Sequence, residues 1–136
     1  MNNCNSKNDS LNTDEGVKKM DETVKLFEDR AKVFSYMESL AKELPKYRFG
    51  LAGSIARGTQ KKNSDIDIVV DTDSIPIEDI EFIKNYFSLG RDVDVLILGL
   101  LKKEDEELDS FALSMGLPIN NESVYKTIVR DVIWIN

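Results

Sequence analysis

A glycine-serine turn that leads through a short polar loop into alternating acids on an apolar strand constrains this chain more than any other feature. Residues 53–70 read Gly53-Ser54-Ile55-Ala56-Arg57-Gly58-Thr59-Gln60-Lys61-Lys62-Asn63-Ser64-Asp65-Ile66-Asp67-Ile68-Val69-Val70, with ten residues between Ser54 and Asp65. The run Asp-Ile-Asp before Ile-Val-Val places the acids where a strand begins. Alternate strand residues share a face, so Asp65 and Asp67 point one way and Ile66, Ile68 and Val70 the other. Two carboxylates that close repel each other unless a proton or a cation intervenes. A hard divalent cation is the natural neutraliser, and the adjacent turn offers backbone N–H groups to phosphate. Those are the parts that phosphoryl or nucleotidyl transfer requires.

The rest of the chain supplies a frame for this strand. Residues 1–13 are rich in Asn, Ser, Asp and Lys and read as a disordered leader, ahead of a single domain over 14–136. Over 14–44, Met20, Val24, Phe27, Ala31, Phe34, Met37, Ala41 and Leu44 recur every three or four residues, an amphipathic helix stopped by Pro45. A strand is expected over 47–52, a short helix over 54–58 and the acid-bearing strand over 65–71. Pro76 and Glu78 open a helix to about residue 88, with Ile80, Ile83 and Phe87 inward and Gly90 as its cap. Residues 92–98 alternate and then turn wholly apolar, which predicts a third strand, central in the sheet. Helices over 102–115 and 122–130 and a strand over 132–135 complete an α/β (α+β) architecture, a small mixed sheet flanked by helices.

Asp94 is the third acid. It lies in Arg91-Asp92-Val93-Asp94-Val95-Leu96, and an aspartate in a buried strand costs several kcal/mol unless paired or metal-bound. Beside the Asp65–Asp67 strand it completes a three-carboxylate cluster able to hold two magnesium ions about 3.5–4 Å apart. Asp65 and Asp67 would bridge both ions and Asp94 would guide the proton of the nucleophile. Asp92 shares a face with Asp94 and is the alternative third ligand. Arg57 is open between a phosphate ligand and a surface cation; Lys61 and Lys62 read as a solvated loop. Thr59 and Ser64 are expected to fix the loop through side-chain-to-backbone hydrogen bonds. The acidic run Glu104-Asp105-Glu106-Glu107 reads as a solvated helical face, and Tyr125 and Trp134 as core or interface residues.

Composition limits the chemistry. The 136 residues include no histidine and carry a net charge of −7, which removes imidazole-based metal or acid–base schemes and argues against general nucleic-acid binding. Any metal is then held by oxygen, which favours magnesium or manganese over zinc. The single cysteine, Cys4, cannot form an internal disulfide. Without an apolar run of membrane-spanning length or a signal-peptide core, no membrane association and a cytoplasmic location are expected.

Gly53-Ser54-x-Ala56-Arg57-Gly58-Thr59 followed by Ser64-Asp65-Ile66-Asp67 resembles the signature of the DNA polymerase beta-like nucleotidyltransferase superfamily, over about residues 47–98. The small size is similar to its minimal nucleotidyltransferase branch, which includes antitoxins encoded beside HEPN-domain ribonuclease toxins. The resemblance implies the polymerase beta-like fold, magnesium dependence and a nucleoside triphosphate donor. It makes Gly53 and Ser54 the turn that holds the triphosphate, with Arg57 and Ser64 of the same signature completing the nucleotide-binding set. Asp65, Asp67 and Asp94 are implied as the catalytic, metal-binding acids. In the antitoxin branch, the type VII toxin–antitoxin pairing, it implies AMP transfer from ATP to a tyrosine of the cognate HEPN toxin, and so a hetero-oligomer. Ala52, Ile55 and the terminal Trp134-Ile135-Asn136 depart from the family pattern without removing an acid. Two other functions stay open: nucleotide transfer to a small molecule or an RNA end, and a non-catalytic antitoxin that neutralises its partner by occlusion. The chain leaves no room for a second, acceptor-binding domain, so the acceptor is expected to come from a partner.

Overall fold

The computed structural model describes residues 3–87 and 90–136, with side chains from residue 21 onward. Strands β1 (Phe49–Ala52), β2 (Ile66–Val70), β3 (Val93–Ile97) and β4 (Ile133–Trp134) form one mixed sheet in the order β3-β2-β1-β4. β1 runs antiparallel to both β2 and β4, whereas β2 and β3 are parallel. A parallel pair needs a crossover, and helix α3 (Ile77–Tyr86) supplies it. Helices α1 (Asn3–Glu43), α2 (Gly53–Arg57), α4 (Leu98–Ser114) and α5 (Val124–Asp131) complete the described elements.

Alternation sorts the strands into two faces. Phe49, Leu51, Ile66, Ile68 and Val70 point to the larger core, where Val33, Met37 and Leu40 of α1 and Ile83 of α3 meet them. Ala52 and Val69 point to the other face, under Ile128 of α5, with Leu96, Leu98, Leu101 and Trp134 around them. Burial on both faces explains why Ile68, Val69 and Val70 are all buried in succession. Gly50 lies on the second face, and a side chain there would meet Val132 Cγ2 at 2.6 Å, so the smallest residue lets the C-terminal strand close. Asn136 extends that closure: its amide accepts from the Phe49 N–H at 2.8 Å and donates to the Tyr47 carbonyl at 3.1 Å.

Four expectations require correction. β3 is an edge strand, not a central one, so Asp94 is exposed rather than buried. Its apolar run is covered by α3 on one side and by Leu98 and Leu101 of α4 on the other, which mimics a central strand in sequence. The core-facing stripe of α1 is Val33, Met37 and Leu40, whereas Val24 and Phe27 of the expected stripe are 53% and 72% exposed. Helix α4 begins at Leu98, directly after β3, rather than at residue 102. Within its acidic run Glu104, Glu106 and Glu107 are exposed, but Asp105 is buried against Lys126 at 3.6 Å. The helical backbone of α1 begins at Asn3. Part of the expected end of α3, residues 88–89, lies outside the described residues; helix α3 ends at Tyr86, with Phe87 buried beyond it. No helix among the described residues is long and apolar enough to cross a membrane.

Candidate active site

Strand register assembles the acids. Ala52 pairs with Asp67, and Asp67 with Asp94, so one row crosses β1, β2 and β3 on the face opposite the larger core. The row lies at the end of β1 where the chain turns into α2. Asp67 is half-buried; Asp65, just before β2, and Asp94 are exposed. Burial pushes the Asp67 carboxyl above the ordinary aspartate value of 3.8, the charge and close approach of Asp94 push it further, and Asp65 adds to both. Arg57 opposes them. Asp94 rather than Asp92 stands level with Asp67; Asp92 lies before β3, its carbonyl accepting from the Ile66 N–H at 2.9 Å.

Gly53 has φ +68, a left-handed conformation that costs a side-chain-bearing residue energy. A Cβ there would also fall on Oδ2 of Asp67. The turn and the acid are therefore packed against one another, backbone to carboxylate. Helix α2 ends at Gly58 with φ 74, where the Thr59 N–H reaches the Ser54 carbonyl at 2.9 Å. Arg30 of α1 holds the same helix from its C-terminal end: Nε donates to the Ile55 carbonyl at 2.7 Å and a terminal nitrogen to that of Ala56 at 3.1 Å. A cation at a helix C-terminus satisfies orphan carbonyls and complements the helix dipole. No local motif announces Arg30, because its partners lie 25 and 26 residues away.

The loop into β2 is held at three points. Gln60 donates to the Leu26 carbonyl at 3.1 Å, and Ser64 Oγ accepts from the Lys61 N–H at 2.7 Å. Arg91, with its side chain 4% exposed, donates to the Ser64 carbonyl at 2.8 Å and pairs with Asp29 of α1. Ser64 thus fixes the loop as expected, and Thr59 does so through its backbone.

Two hollows flank the row of acids. A cleft of about 320 Å³ is lined by Ala52, Gly53, Arg57, Asp67 and Leu96, and by Glu122, Val124, Thr127, Ile128 and Asp131 at α5. A second, of about 430 Å³, is lined by Asp65, Asp92, Asp94, Val93, Lys84 and Arg91. Arg57 pairs with Asp131 at 3.6 Å, so α5 closes over the α2 turn. Lys126 anchors α5 to α4 through Asp109 at 2.9 Å and the Asn120 carbonyl at 2.8 Å. Glu122, Thr127 and Asp131 carry no sequence signal of their own: polar residues on or just ahead of a short amphipathic helix look solvated until the fold lays them beside the acids. Lys61 and Lys62 are not in this cleft; they line a separate hollow of about 630 Å³ with Glu22, Lys25 and Asp29 of α1.

The donor chemistry is oxygen alone and its charge is only partly offset, which suits a hard divalent cation. Among the described residues, however, no three acidic, histidine or cysteine side chains converge closely enough to enclose a metal ion. Asp67 and Asp94 are the pair in register, with Asp65 nearest along the chain.

A family model described as a nucleotidyltransferase domain matches residues 31–115, which include the turn, all three acids and the whole of α4. No curated protein matches the chain. The four-stranded mixed sheet and flanking helices are those of the polymerase beta-like nucleotidyltransferase fold. The chain belongs to the nucleotidyltransferase domain family.

Proposed function

We propose that this nucleotidyltransferase transfers AMP from ATP to a tyrosine of a partner protein, a HEPN-type toxin, with magnesium that the in-register pair Asp67 and Asp94 would hold and Asp65 would join on nucleotide binding. The observation that carries the chemistry is the row Ala52–Asp67–Asp94 packed against the Gly53 turn, with Asp67 raised by burial and by its acidic neighbours. Bound magnesium would neutralise the acids and the phosphate oxygens, offsetting charge on the attacking and leaving groups. The 320 Å³ cleft takes the nucleotide: Gly53 and Ser54 offer N–H groups to the triphosphate and Arg57 its charge, while Ser64 holds the loop. The acceptor enters from the side of Asp65 and Asp94. The tyrosine oxygen forms a bond to the α-phosphorus as the α–β bridging bond breaks, pyrophosphate leaves, and Asp94 takes the hydroxyl proton. Its exposure favours that role, because a base at the rim can return the proton to water.

A protein acceptor is favoured by one surface. Leu108, Phe111, Leu113, Met115, Leu117 and Ile119 are all at least 38% exposed around the end of α4 and the loop after it. So many large apolar side chains left exposed along one segment of chain suit a protein interface. Mass spectrometry of a co-expressed HEPN protein tests the reading. A tyrosine carrying one adenylate supports it; label on an RNA end or a small molecule selects the second reading instead. Neutralisation by an Asp65→Asn/Asp67→Asn variant equal to wild type selects occlusion.

A further inference from the structure

Helix α1 carries two apolar stripes, and the domain covers one of them. Val33, Met37 and Leu40 face the sheet. About a third of a turn away, Val24, Phe27, Ala31 and Phe34 follow at spacings of three, four and three, and Val17 and Met20 continue the same spacing in the sequence. Two apolar residues in every seven make the narrow seam of a coiled coil, not the broader stripe of a helix on a globular core. Of the described members, Val24 is 53% and Phe27 72% exposed, and Ala31 is exposed. Phe34 is where the seam meets the domain, under the Arg30 guanidinium at 5.0 Å.

The charges beside this seam are ordered. With Val17, Val24 and Ala31 at heptad position a and Met20, Phe27 and Phe34 at d, position e is Asp14, Asp21 and Glu28. Neither Asp21 nor Glu28 is held by an ion pair or hydrogen bond among the described residues. Position g is Gly16, Thr23 and Arg30, and Arg30 is engaged by the carbonyls of α2. Flanking charges at e and g choose the partner of a coiled coil. A second copy of this chain would set acids against acids if antiparallel. If parallel, it would offer them glycine, threonine and an arginine already in use. Each copy also carries a net charge of −7.

We propose that the outer seam of α1, centred on Val24, Phe27 and Ala31, docks an amphipathic helix of another protein whose flank is rich in lysine or arginine. The surface is independent of the acids on the sheet and does not require that transfer occur. Residues 17–31 span about 21 Å, two heptads, which makes the docking a modest, charge-steered contact.

The test uses the full-length protein and two synthetic helical peptides with the same leucine seam, one flanked by lysines and one by glutamates. Fluorescence anisotropy is expected to show the lysine peptide binding at least tenfold more tightly, with affinity falling as salt rises. Phe27→Asp should abolish that binding while the melting temperature and circular dichroism stay unchanged. If Phe27→Asp lowers helicity, Phe27→Ala keeps the helix and should still weaken binding severalfold. Sedimentation of the protein alone should show a monomer at the α1 surface. Equal affinity for both peptides, no binding to either, or binding unaffected by Phe27→Ala overturns the proposal. A homodimer dissolved by Phe27→Asp overturns it in favour of a second copy.

Discussion

The Oδ2 oxygen of Asp67 occupies the space that a side chain at Gly53 would need. Gly53 is therefore fixed twice, by its φ of +68 and by the acid that fills its missing side chain. Gly53→Ala must strain the turn, at a cost of about 1–3 kcal/mol, and displace Asp67. Nucleotidyl transfer should fall by about 100-fold or more, the scale seen when one charge-stabilising group is lost. Steady-state kinetics beside a thermal melt will show whether activity drops far more than stability.

Asp67 is also a stability liability at neutral pH. Its folded carboxyl titrates above 3.8, chiefly from burial and then from Asp94. The folded state thus favours the protonated form, so the contribution of Asp67 to stability is fully present below pH 3.8 and is lost as pH rises through the folded value. Asp67→Asn removes the charge, and should raise the melting temperature at pH 7 while abolishing transfer. The gain should vanish below pH 3.8, which a melt series across pH will reveal.

The opposite sign holds at Asp79. The Tyr47 hydroxyl donates to it at 2.6 Å and Lys46 pairs with it at 3.0 Å, holding its carboxyl below the ordinary 3.8. This contribution is present above pH 3.8 and is lost as pH falls through the lower folded value. Tyr47→Phe should lower stability at pH 7 and flatten the acid limb of the stability curve, without changing transfer.

Arg30 ties α1 to the carbonyls of Ile55 and Ala56. Arg30→Ala leaves both without that donor, at about 1–3 kcal/mol for charge-assisted bonds. Hydrogen exchange should quicken over residues 53–58 while the β2 amides keep their protection. Equal acceleration in both would mean that Arg30 supports the whole fold rather than the α2 turn.

These residues also mark what the sequence made legible. The turn and the strand after it were readable because glycine at a positive φ and alternation on a strand are local rules; Asp67 and Asp94 fell on the strands expected of them, and Asp65 just ahead of its strand. The edge position of β3 was not, since Val93, Val95 and Ile97 pack into the larger core and Leu96 meets Leu98 and Leu101 of α4, so a strand with a single neighbour, β2, reads as central. The phase of α1 was ambiguous because it bears two apolar stripes, and only packing chooses between them. Arg30, Thr127 and Asp131 reach the site through tertiary contacts that no spacing announces.

The most direct measurement is magnesium-dependent transfer of α-phosphate label from ATP, comparing the wild type with Asp65→Asn/Asp67→Asn in the presence of the partner. The acid row predicts labelled partner and released pyrophosphate from the wild type and neither from the variant. Equal labelling by the variant, with its fold intact, would contradict the role given to these acids.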